Sequence, residues 1–97
     1  GNVIEENFDG IYSYDTIENL PKEQLPEILG DIYSNSDRFV YLGISTNGGV
    51  EPIGWWKTMI EKYAPRKVYT HIKTYGNCNN YEILWEDEYL EWYINNI

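Results

Sequence analysis

A chain of 97 residues holds one modest hydrophobic core rather than two ordinary domains, and its 42% apolar content excludes wholesale disorder. Sixteen acids against seven Lys and Arg give −9 at pH 7, a charge that repels phosphate backbones and anionic lipid and favours a basic partner. The apolar runs are too short for a membrane span, and no basic stretch followed by an apolar run opens the chain, so neither a membrane role nor a signal peptide is expected.

The first eight residues are polar, with isolated Val3, Ile4 and Phe8, and read as a frayed end or a short edge element. Ile11–Tyr14 suits a short strand, and Asp15 or Thr16 a turn leading toward a helix start. In LPKEQLPEILGDIYS, Pro26 cannot sit inside one continuous helix, because it lacks an N–H and its ring clashes with the preceding turn. The segment therefore divides into a first turn at 21–25 and a helix from Pro26 to about Ser34, with Leu25, Ile28, Leu29 and Ile32 on its buried side. SNSD at 34–37 reads as a turn.

Arg38–Ser45 (RFVYLGIS) is nearly all apolar or aromatic, the pattern of a central strand covered on both faces. TNGG at 46–49 connects it to an amphipathic helix over Pro52–Tyr63, with Ile53, Trp56, Met59, Ile60 and Tyr63 at helical spacing. Ala64-Pro65 ends that helix. Lys67–Tyr75 alternates with period two, placing Val68, Thr70, Ile72 and Thr74 on one face and Tyr69, His71, Lys73 and Tyr75 on the other. After the turn formers GNCNN, Tyr81–Glu86 returns as a second strand with Tyr81, Ile83 and Trp85 on one face, which makes 67–86 a hairpin. Asp87 then caps a last helix to Asn95, in which Leu90, Tyr93 and Ile94 pack and Glu88 and Glu91 project. The expected fold is a single α+β domain over residues 1–97: two layers, with a mainly antiparallel sheet of three or four strands and two or three packed helices.

Charge is segregated along the chain. Residues 1–37 hold nine acids (Glu5, Glu6, Asp9, Asp15, Glu18, Glu23, Glu27, Asp31, Asp37) against Lys22, leaving −8. Residues 38–81 hold Glu51 and Glu61 against Arg38, Lys57, Lys62, Arg66, Lys67 and Lys73, leaving +4. Residues 82–97 hold Glu82, Glu86, Asp87, Glu88 and Glu91, leaving −5. Glu23, Glu27 and Asp31 recur every four residues and line one helical stripe, where they repel one another unless a basic partner relieves them. Joined in space, the two acidic ends would form one anionic face.

Ten Tyr and four Trp exceed what a small core readily hides, since each carries a polar group that needs a partner. The same residue types supply the binding energy of protein interfaces. The sequence therefore points to an acidic inhibitor or immunity-type protein that covers the basic, nucleic-acid-facing surface of a partner protein, such as a nuclease. The contacts expected are the acids Glu23, Glu27, Asp31, Glu86, Asp87, Glu88 and Glu91 and the aromatics Tyr33, Tyr89 and Trp92. The alternative is a carbohydrate- or peptide-binding module using exposed Tyr and Trp.

Signals for catalysis are weak, so no enzyme, cofactor or metal is expected. His71 is the single histidine and reads as a half-exposed strand residue. Cys78 is the single cysteine, in a turn, which excludes a disulfide framework or a thiolate zinc site and suits a reducing, cytoplasmic compartment. No calcium-loop or phosphate-loop spacing is present. Direct nucleic-acid binding through Tyr69, Tyr75 and Tyr81, with Arg38, Arg66, Lys67 and Lys73 as the basic patch, conflicts with the net charge. The oligomeric state is left open.

Overall fold

The computed structural model describes residues 8–48 and 50–96; of these, nothing is said of the side chains of Phe8, Asp9 and Ile94. The expected frayed end therefore lies outside the described residues, apart from the backbone of Phe8, and so does the packing expected of Ile94. The element order is β1 (Phe8–Tyr14), two short 3-10 turns (Ile17–Asn19 and Lys22–Gln24), α1 (Leu25–Ser34), β2 (Ser36–Ser45), α2 (Ile53–Tyr63), β3 (Tyr69–Tyr75), β4 (Tyr81–Leu84) and α3 (Glu88–Asn95). Pro26 falls in the first turn of α1, where its missing N–H has no intrahelical role.

The α+β class, the four strands and the three helices are as the sequence indicates, but the sheet is mixed rather than mainly antiparallel. The strands lie in the order β1-β2-β3-β4, with β1/β2 and β2/β3 parallel and only β3/β4 antiparallel. The connections explain the sense. Chains that cross over through α1 and α2 re-enter the sheet in the same direction, whereas the short turn after Tyr75 reverses the chain. Ser36 and Asp37, read as part of a turn, open β2 instead, and the Ser36 hydroxyl donates to the Ile32 carbonyl at 2.7 Å at the end of α1.

One face of the sheet carries Ile11, Val40, Leu42, Ile44, Ile72 and Leu84, and α1 and α2 cover it with Leu25, Leu29, Ile32, Trp56 and Ile60. Arg66 ties this layer together. Its guanidinium donates to the carbonyls of Tyr33 (2.9 Å), Ser34 (3.2 Å) and Ser36 (2.6 Å), placing a cation at the carbonyl-rich end of α1.

The opposite face is partly covered by α3, so the two-layer expectation gives way to an additional partial layer. Leu90 packs on Phe39, Tyr41 and Tyr69, and Asp87 caps α3 by accepting from the amides of Tyr89 (3.0 Å) and Leu90 (3.2 Å). The turn into α3 runs through Trp85 at φ 52°. Trp85 consequently leaves the face of Tyr81 and Ile83, where alternation would put it, and packs in the helix layer edge-on to Tyr33 at 6.2 Å.

Candidate functional site

Alternation and register together build the α3-side face of the sheet. Pairing across the strands sets Gly10 beside Phe39 and Tyr69, then Tyr12 beside Tyr41, His71 and Ile83, then Tyr14 beside Gly43, Lys73 and Tyr81. Leu90 covers the first row and packs on Tyr41 in the second. The other two rows form an aromatic ladder: Tyr14 lies 5.7 Å from Tyr41, Tyr41 stacks on His71 at 4.7 Å, and His71 lies 5.8 Å from Tyr81. The glycines make room for the rings. A Cβ on Gly43 would meet the Tyr14 ring at 2.0 Å, and one on Gly10 the Phe39 ring at 2.0 Å.

α3 presents different chemistry on each side. Glu88 and Trp92 are one helical turn apart and point outward, both exposed. Tyr89 and Tyr93, also one turn apart, border Arg38 and Phe39, with the Arg38 guanidinium 5.5 Å from the Tyr89 ring centre. Glu91 and Asn95 face the open rows of the sheet and close a cleft of about 440 Å³ with Tyr41, His71, Lys73, Asn80, Tyr81 and Ile83.

Of the residues singled out in the sequence, α3 and the turn before it bring Glu86, Asp87, Glu88, Tyr89, Glu91 and Trp92 together, with Tyr89 60% and Trp92 63% exposed. Glu23, Glu27 and Asp31 lie on or beside α1, which covers the other face of the sheet, so the two acidic clusters do not form one face. Tyr33 is not a surface anchor. It is 0% exposed, sits among the α1 core residues, and its hydroxyl bonds the Thr70 hydroxyl at 2.8 Å. Its position eight after Leu25 and four after Leu29 puts it on the buried stripe.

Of the basic patch considered for nucleic acid, Arg38 and Lys67 line a pocket shared with the acids Asp37, Glu86 and Asp87, while Lys73 lies apart with Tyr81 and Glu91. Arg66 is engaged with carbonyls and Asp37, Arg38 with Tyr89, and Tyr69 is buried under Leu90. His71, expected half-exposed, is only 9% exposed. Its Nδ1 is sealed from solvent without a hydrogen-bond partner, and burial, with a smaller push from Lys73, lowers its pKa below the ordinary histidine value. Sequence reasoning does not single out the exposed Tyr12 and Tyr14, or the buried Tyr41 between them and His71. Their signal in the sequence was alternation on two neighbouring strands, which marks a common face only once the strands are known to pair.

Among the described residues, no group of three or more His, Cys, Asp and Glu is placed to hold a metal ion, and no helix is long and apolar enough to cross a membrane. Cys78 is exposed, and the Thr46 hydroxyl accepts from its amide at 2.9 Å. No family model matches the chain, and no curated protein or solved structure matches it significantly.

Proposed function

We propose that this domain is a non-enzymatic, acidic protein-binding module of inhibitor or immunity type, which covers the basic, nucleic-acid-facing surface of a partner protein with the outer side of α3. The observation that supports this reading best is the exposure of two large rings, Tyr89 and Trp92, beside Glu86, Asp87 and Glu88 on one short helix and the turn before it, with Glu91 on the cleft side adding to the field. The net charge of −9 draws a basic partner from a distance and repels competing anions. The rings supply buried contact area once the surfaces meet, and so govern dissociation. Glu23, Glu27 and Asp31, on the other layer, add to the long-range field without touching a partner seated on α3. A nuclease or other nucleic-acid-binding protein in the cytoplasm fits this chemistry.

The test is capture of basic proteins from lysate by the intact domain, with nuclease treatment and at low and high salt. Four baits are compared: wild type, Glu86→Lys with Glu88→Lys, Trp92→Ala, and Glu27→Lys with Asp31→Lys. The reading requires one basic nucleic-acid-processing protein that the first and fourth baits retain and the second and third lose. Equal retention by all four would sink it.

A further inference from the structure

We propose that the cleft between α3 and the aromatic ladder is a second binding site, for a neutral carbohydrate. At about 440 Å³ the cleft falls within the range of small-ligand sites, and its walls are mixed rather than apolar. Lys73 stands on the sheet wall and Glu91 on the helix wall, and neither forms an ion pair among the described residues. A small anion entering here would meet Glu91 and the negative field of the whole molecule, and a small cation would meet Lys73. A neutral polyol uses both walls, because each hydroxyl donates and accepts at once. Asn80 adds a side-chain amide at the rim.

The ladder supplies the apolar part of sugar recognition. Tyr81 ends it on the edge strand and is 68% exposed, with His71 behind it, so its ring has a free surface on which a pyranose can lie. His71 supplies a polar tip. Its Nδ1 is sealed and unpartnered, which leaves Nε2 as the nitrogen that can reach the cleft the ring lines. A buried ring with one sealed nitrogen is best kept neutral, with its proton on Nε2, where it can be donated to a sugar hydroxyl. The site is separate from the outer side of α3, so a partner protein on Glu88 and Trp92 and a sugar beside Tyr81 are independent events.

Titration of the isotope-labelled domain with cellobiose, maltose and N,N′-diacetylchitobiose, followed by amide NMR, tests the proposal. At least one sugar is expected to give saturable shifts at His71, Lys73, Asn80 and Tyr81, with a Kd of about 1 mM that is the same at low and high salt. Tyr81→Ala removes an exposed ring and His71→Phe keeps the ring shape without the nitrogens; each is expected to weaken binding by about 10-fold or more. The proposal is overturned if none of the three sugars gives saturable shifts, if the shifts map elsewhere, if both variants bind like wild type, or if glucose 6-phosphate or spermidine binds the cleft more tightly than the sugars.

Discussion

The hydroxyl of Tyr33 on α1 and the hydroxyl of Thr70 on β3 are joined by a buried hydrogen bond of 2.8 Å. Thr70 passes its own proton to the Val68 carbonyl at 3.1 Å, so Tyr33 is the donor of the pair. The bond fixes the helix layer to the centre of the sheet. Tyr33→Phe leaves the Thr70 oxygen without its donor and is expected to cost about 1–2 kcal/mol in chemical denaturation. Partner binding by the folded variant should be unchanged, because the ring never reaches the surface.

Arg66 performs the equivalent service at the end of α1. Its contacts with three carbonyls are charge-assisted, and removal leaves Tyr33 and Ser34 at the negative end of the helix, and Ser36 at the start of β2, without a cation. Arg66→Ala is expected to destabilise the fold by about 1.5–3 kcal/mol, whereas Arg66→Lys, a single point donor, recovers only part of the loss. Equilibrium urea unfolding of the two variants measures the difference.

The two glycines under aromatic rings should respond differently to the same added methyl group. Gly10→Ala drives a Cβ into the ring of buried Phe39, and overpacking of that kind costs about 1–3 kcal/mol. Gly43→Ala meets Tyr14, which is exposed and can swing away, so its cost should be smaller. Thermal unfolding of the pair gives the order. A larger loss at Gly43 would contradict the packing described.

Titration acts from both ends of the pH scale. The lowered pKa of His71 means that the unfolded chain takes up a proton more readily than the folded one. This contribution to stability is present above pH ~6.5 and is lost as pH falls toward the lowered folded value. The loss should be absent from His71→Phe. Burial pushes Tyr41 and Tyr69 up to about 12, with Tyr14 adding to the first and Glu91 to the second, and burial raises Tyr33 as well. Those raised values stabilise the fold below the unfolded tyrosine pKa of ~10, and the contribution is lost as pH climbs from there toward 12. Denaturation midpoints across pH 5 to 12 relative to His71→Phe would separate the acid limb from the alkaline one.

Much of the fold was written locally. Val68, Thr70, Ile72 and Thr74 alternate onto the core face as the period-two pattern requires, and Asp87 caps α3 as its position before an apolar periodic run indicates. Strand sense is equally implicit in the order strand, helix, strand, helix, strand, since helical crossovers return parallel strands, and only the hairpin at 67–86 calls for an antiparallel pair. The acid Asp31 beside it suggests a surface position for Tyr33, whereas its spacing from Leu25 and Leu29 sets it inward. The cleft had no local signature. It exists because Trp85 adopts a positive φ and turns α3 back over the sheet, and because β1 and β2, far apart in the chain, align Tyr12, Tyr14 and Tyr41 on one face.

The central claim is that α3, and not the acidic stripe of α1, meets the partner. The most direct measurement is the affinity of the captured basic protein for two charge-reversed domains, Glu86→Lys with Glu88→Lys and Glu27→Lys with Asp31→Lys, at low and high salt. The net charge is the same in both, so the long-range field is nearly matched and only the contact differs. The account predicts that the α3 variant loses at least about 10-fold more affinity than the α1 variant, with the gap persisting at high salt. Equal losses that vanish together at high salt would reduce the charge to a diffuse field, and a greater loss in the α1 variant would place the interface on the other layer.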